Sequence, residues 1–92
     1  MQCFKFVMSG RVQGVCFRAN TVRFVIKKHL DIRGYVKNLS NGDVEVLAQG
    51  DSENLEILHN WLKKGPPMAK VVGIKVVKID SFCDYDDFKI IS

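Results

Sequence analysis

Most of the common catalytic and anchoring devices are missing from this 92-residue chain. No stretch approaches the ~20 consecutive apolar residues that a membrane-spanning helix requires, so no membrane partner is expected. The N-terminus lacks the successive cationic, apolar and cleavage regions of a signal peptide. Cysteine is scarce: Cys3, Cys16 and Cys83 are odd in number and form no CxxC pair. That usage suits a reducing cytosol better than a disulfide framework, and a cytoplasmic location is the expectation. The two histidines, His29 and His59, are isolated from one another. Zinc sites cluster their His and Cys ligands, so no metal site is expected. Both imidazoles are read instead as partly exposed side chains near helix C-termini, where positive charge is tolerated. Neither the GxxxxGK-Ser/Thr loop nor GxGxxG occurs, which removes both common nucleotide loops. Acids are scarce in one part of the chain. Residues 1–37 hold Asp31 alone against eight Lys or Arg, a net charge of +7, whereas residues 38–92 carry −3. The basic segment is either a solvated face or a source of field that steers an anionic substrate.

What is present is the make-up of an ordinary globular domain, 47% hydrophobic and 26% charged. It contains no repeat, linker or low-complexity tract and is read as one domain spanning residues 1–92. Phe4, Phe6 and Met8 alternate with Lys5, Val7 and Ser9, which predicts a half-buried strand. Val22, Val25, Ile26 and Leu30 recur at helical spacing and predict a helix running to about His29 or Leu30. Gly34–Asn38 reads as a short strand. Asn41-Gly42 then marks a tight turn because both residues tolerate positive φ. A third strand is expected from about Asp43 to Gln49, with Val44, Val46 and Ala48 on one face. Asp51 or Ser52 can cap a second helix whose stripe is Leu55, Leu58 and Leu62, and Gly65-Pro66-Pro67 stops it. Val71–Ile79 reads as a β-branched strand, and Phe88–Ile91 as a short edge strand. The β-α-β-β-α-β order predicts an α+β, ferredoxin-like sandwich: an antiparallel sheet of four to five strands with two helices on one face.

The functional signal lies in Gly10-Arg11-Val12-Gln13-Gly14-Val15-Cys16-Phe17-Arg18. Two glycines four apart let the backbone turn tightly and bring amides close to a ligand. The position, between a strand and a helix N-terminus, directs those amides and the positive helix end at one spot, which suits an anion. Arg18 adds a cation able to grip a phosphate through two parallel hydrogen bonds. Cys16 resembles a nucleophile, being near both Arg18 and the helix start. Only Phe17 separates Cys16 from Arg18, too little for a cysteine phosphatase's loop, so Cys16 is read as a small, semi-apolar filler. Asn38 is either a residue leading into a turn or an amide that orients a water through its donor and acceptor.

Taken together, the loop Gly10–Arg18 and the segment Gly34-Tyr35-Val36-Lys37-Asn38 resemble the two signature motifs of the acylphosphatase family. Gly65-Pro66-Pro67, with Ala69 and Val71, is similar to the family's stretch after the second helix. The resemblance covers essentially the whole chain. It implies the same sandwich with a five-stranded sheet, and hydrolysis of the carboxyl-phosphate anhydride of a small acyl phosphate to carboxylate and inorganic phosphate. It further implies that Arg18 binds the phosphoryl group together with the amides of Val12, Gln13, Gly14, Val15, Cys16 and Phe17, while Asn38 orients the attacking water. Neither metal nor cofactor is implied, and a free-standing monomer is expected. Three positions depart from the commonest family pattern. Cys16 stands where an aromatic residue or glycine is frequent, Asn41-Gly42 replaces Asp-Gly, and Asp31 replaces a frequent glycine. Two rival readings exist. RNA-recognition domains share the element order, and Arg33-Gly34-Tyr35-Val36 echoes their motif, but it falls on the second strand and the third carries no aromatic, so no nucleic-acid partner is expected. A regulatory member of the fold, or a domain within a larger hydrogenase-maturation protein, is the other; the paired-cysteine zinc segments expected of the latter are absent.

Overall fold

A computed structural model describes residues 1–81 and 84–91; Cys83 lies outside them. Seven elements follow one another: β1 (Gln2–Arg11), α1 (Phe17–Lys27), β2 (Ile32–Asn38), β3 (Val44–Gly50), α2 (Ser52–Lys64), β4 (Lys70–Lys78) and β5 (Phe88–Ile90). The strands form one sheet in the order β4-β1-β3-β2-β5. Alternation in the central strands works as expected. Phe6 and Met8 of β1, and Val44, Val46 and Ala48 of β3, are buried on one face. They meet Leu55, Leu58 and Leu62 of α2 and Phe17 and Val25 of α1 in one apolar cluster, which also holds Val36 and Phe88. Both helices thus cover one face, where burial of large apolar side chains supplies the main driving force.

The fifth strand corrects the expectation of a wholly antiparallel sheet. β1, β3, β2 and β4 pair antiparallel, but β5 runs parallel to β2, Gly34 opposite Phe88 and Val36 opposite Ile90. The cause is topological. Phe4 pairs with Lys78, and Gln2 and Ile32 both pair with Gly50, so β4 finishes at the sheet end where β2 begins. A strand that starts from that end beside β2 runs in the direction of β2.

The first helix is shorter than expected, ending at Lys27, with Lys28 as its C-cap and His29 at φ 54°. Its buried face is Phe17, Thr21 and Val25, and Ile26 is 67% exposed. Those three positions are four apart, and Ile26 lies a further ~100° around the helix from Val25. The polar Thr21 is tolerated in the core because its Oγ1 donates to the Phe17 carbonyl at 2.8 Å.

Other local expectations change in detail. The β2–β3 turn has positive φ at Gly42 alone (99°), while Asn41 Oδ1 accepts from the Asp43 amide at 3.0 Å. Asp51 occupies the N-cap of α2 without a side-chain capping bond. His29 is exposed just past α1, as expected, but His59 lies in the middle of α2, its ring 5.2 Å from that of Phe6. Desolvation there, with Lys63 nearby, lowers the His59 pKa, contrary to the expected site for positive charge. On the face away from the helices, the Tyr35 hydroxyl donates to Glu45 Oε2 at 2.7 Å and Lys37 Nζ lies 3.7 Å from the same oxygen. Burial, reinforced by that carboxylate, pushes the Tyr35 hydroxyl pKa up.

Candidate active site

Three buried side chains hold the β1–α1 loop to the core. Val12, Val15 and Phe17 are sunk into the apolar cluster, while Gly14 and Cys16 face out. The backbone leading into and running between these anchors must turn through conformations that L-residues avoid. Gly10 has φ 114°, and a Cβ there would collide with the Lys70 carbonyl. Gly14 has φ 75° in open space, so its requirement is conformational rather than steric. Cys16 takes the left-handed conformation as well, at φ 59° and ψ 30°, and serves as the N-cap of α1 without a side-chain capping bond. The first turn of α1 contains no acid. Its leading N–H groups are therefore neither capped by the Cys16 side chain nor neutralised by a carboxylate, and the positive end of the helix faces the loop.

Arg18 stands in this first turn, and Asn38 ends β2 at the same edge of the sheet. The antiparallel register sets this proximity: Met8 and Asn38 both pair with Val44, so β1 and β2 deliver their C-terminal ends side by side across β3. A cavity of about 360 Å³ opens there, lined by Val12, Gln13, Gly14, Cys16, Phe17, Arg18 and Asn38, with Ala19 and Ile90 completing the wall. All the expected site residues except Val15 line it. Val15 is buried and anchors the loop from beneath. The cavity wall contains one cation, no carboxylate and no histidine. Among the described residues there is no group of three or more His, Cys, Asp or Glu able to hold a metal ion.

Gln13 has a second role that its place in the loop did not reveal. Its side-chain Nε2 donates to the carbonyls of Leu39 and Asp43, each at 2.8 Å. Both amide protons are thereby used, and they tie the loop to the turn immediately after Asn38. The Leu39 and Asp43 carbonyls also accept from the Gly42 and Leu39 amides, respectively, and keep those donors without Gln13. Replacing Gln13 with Ala should lower kcat by about tenfold or more and cost about 1–3 kcal/mol of stability, because two hydrogen bonds are lost and the two halves of the site can slide apart. Chemical denaturation and steady-state kinetics on one preparation check both. Ala19 and Ile90 were also missed as site residues. Ile90 is two residues from the buried Phe88 on β5, so strand alternation was a usable signal once β5 was placed.

The Acylphosphatase family model matches residues 4–90, a span that includes the loop, Arg18, Asn38 and β5. The chain belongs to the acylphosphatase family. It is 47% identical to an acylphosphatase of Vibrio cholerae over 90 residues, 98% of this chain and 97% of that one. The crystal structure of acylphosphatase from Bacillus subtilis superposes with a TM-score of 0.91 at 34% identity, covering 100% of both chains. An acylphosphatase structure from Coxiella burnetii gives 0.87 at 40% identity, covering 97% of this chain and 90% of that one. The ferredoxin-like acylphosphatase fold expected from the sequence is thus the fold observed, with its sheet mixed rather than wholly antiparallel.

Of the three departures from the family pattern, Cys16 matters most to the acylphosphatase site. It is exposed at the cavity wall rather than packed as a filler. Its positive φ gives a physical reason for glycine at such a position. Because the proposed nucleophile is water, Cys16→Ser should keep at least about a third of the wild-type rate, a change in barrier below ~1 kcal/mol. Complete loss in a folded Cys16→Ser protein, measured by acyl phosphate turnover, would point to covalent catalysis.

Proposed function

We propose that this acylphosphatase hydrolyses small acyl phosphates by holding the phosphoryl group between Arg18 and the amides of Val12–Phe17 while Asn38 orients the attacking water. The observation that carries this reading is that one cavity gathers Arg18, Asn38 and an uncapped helix N-terminus, with no side-chain acid or base among its lining residues. Phosphoryl transfer of this kind passes through a loose transition state whose charge is spread over the equatorial oxygens, so it needs positioning and charge stabilisation more than covalent chemistry. The loop amides and Arg18 supply donors to those oxygens. The Asn38 amide offers an acceptor to a water proton and a donor to its oxygen, which fixes the line of attack.

The leaving group explains why such a sparse site suffices. A departing carboxylate has a conjugate acid of pKa near 4, by analogy with side-chain carboxyls, and so leaves without protonation. An alkoxide leaving group would need a general acid, and the cavity has none to offer. The apolar Ala19 and Ile90 give the acyl portion a wall to rest on. The reading extends to a single domain acting as a cytoplasmic monomer, with no cofactor and no nucleic-acid partner. Cysteine usage supports the compartment, and no helix among the described residues is long and apolar enough to cross a membrane.

Benzoyl phosphate turnover, followed by loss of absorbance in the presence of EDTA, tests the proposal directly. Hydrolysis well above buffer is expected with chelator present. A rate equal to buffer would end the reading, and a rate restored only by a divalent cation would replace it with metal-assisted hydrolysis.

A further inference from the structure

A second, larger cavity of about 520 Å³ lies outside the catalytic site, between α1 and the end of α2. Its walls carry the cations Arg23, Lys27 and Lys64, the rings of Phe24 and Trp61, and the turn at Pro66-Pro67, and no carboxylate is among them. Phe24 and Trp61 stack on one another with centroids 4.9 Å apart and planes 17° off parallel, so each ring gives one face to the other and the pair offers the cleft its outer side and ring edges. None of the three cations is paired with an acid: among the described residues the single ion pair is Lys37 with Glu45. Lys27 and Lys64 occupy the last turns of their helices, where the dipole alone would favour a cation. Arg23 has no such reason to be there. It sits mid-helix, and Nη1 donates to Asn20 Oδ1 at 3.0 Å, which holds the guanidinium while its other donors stay available.

We propose that this cleft is a second anion site, separate from the catalytic one, for a phosphate ester carrying a planar ring, of mononucleotide size. The ring packs against the outer side of the Phe24–Trp61 stack and the phosphate is gripped by Arg23 with Lys27 and Lys64. Each part of the ligand follows from one part of the cleft. Three unpaired cations without a nearby acid select a multiply charged anion, and a guanidinium matches phosphate bidentately. An aromatic pair at the wall favours a planar ring, which buries apolar area and meets the pair in offset-stacked or edge-to-face contact. The volume falls in the range of small-ligand pockets and holds one nucleotide rather than a strand. An inorganic anion alone would leave the rings and prolines uncovered.

Trp61 is the only tryptophan in the chain, so its indole N–H gives one unambiguous NMR signal at the cleft. The full chain is titrated with adenosine monophosphate, with adenosine, with inorganic phosphate and with triglutamate. The nucleotide should shift the Trp61 signal saturably, and adenosine or phosphate alone should act there at least about tenfold more weakly, as expected when ring and charge each contribute. The Arg23→Gln/Lys27→Gln/Lys64→Gln variant should weaken nucleotide binding at Trp61 by about tenfold or more while benzoyl phosphate turnover stays within about twofold of wild type. Phe17 packs edge-on against Trp61 at 5.9 Å, so occupancy of the catalytic loop can reach the Trp61 signal indirectly. Inorganic phosphate shifting Trp61 as strongly as the nucleotide would show that indirect source and overturn the proposal. A silent Trp61 at ~10 mM nucleotide, a response unchanged in the triple variant, or stronger binding of triglutamate would each overturn it too.

Discussion

Arg18→Ala should lower kcat/KM for benzoyl phosphate by about a thousandfold or more and abolish stabilisation by inorganic phosphate. The magnitude follows from removing a preorganised donor aimed at developing negative charge, worth ~10²–10³ even for a neutral group, and from the greater strength of charge-assisted bidentate bonds. The loss should come without a loss of stability. Arg18 lies in the first turn of α1, a location the helix dipole disfavours for a cation by about 0.3–1 kcal/mol. It has no carboxylate partner in the cavity wall to repay that cost. The variant should therefore melt at or slightly above the wild-type temperature in phosphate-free buffer. In phosphate, wild type should gain thermal stability through binding to the folded state, and the variant should not. Thermal denaturation with and without phosphate, beside steady-state kinetics, separates these effects. An Arg18→Ala protein that binds phosphate as tightly as wild type would show that the loop amides alone form the anion site.

Asn38→Ala should produce the opposite division: kcat lower by about 10²–10³ while inorganic phosphate still raises the melting temperature nearly as much as in wild type. Orientation of the nucleophile is expressed chiefly in the transition state, so its loss falls on turnover more than on ground-state binding. The backbone of Asn38 is held by its pairing with Val44, and Gln13 holds the turn beyond it through the Leu39 and Asp43 carbonyls. Truncating the side chain therefore leaves the frame in place. Equal losses in phosphate affinity and in turnover would reassign Asn38 to phosphate binding.

These two residues also show how unevenly the site was legible. The glycine-bracketed loop could be read directly, because glycine spacing and a strand-to-helix junction are local properties. Arg18 could be read with it. Asn38, judged from its spacing alone, reads more readily as a residue leading into a turn than as a functional amide; only its place in a second motif distinguishes it. For Gln13 the sequence shows only a loop amide; its side-chain role is not legible, because its partners at Leu39 and Asp43 are distant in sequence and leave no periodic trace. His59 reads from the sequence as a partly exposed side chain near a helix C-terminus, but within α2, Ser52–Lys64, it lies in mid-helix against Phe6.

By itself the amino-acid sequence determined the element order, the inward faces of β1, β3 and α2, the glycine loop with Arg18, and the family. Each is written in nearest-neighbour patterns: alternation, i to i+4 spacing, turn residues and motif order. The tertiary structure alone decided that β5 runs parallel to β2, that Ile26 faces outward, that Cys16 is an exposed left-handed N-cap, and that Gln13 ties the two halves of the site together. Those outcomes depend on where distant segments meet, and pairing register and helix rotation are set by competition for one shared core. Arg18 and Asn38 share a cavity because β1 and β2 flank β3 and end at the same edge, a geometry that no local stretch of the chain contains.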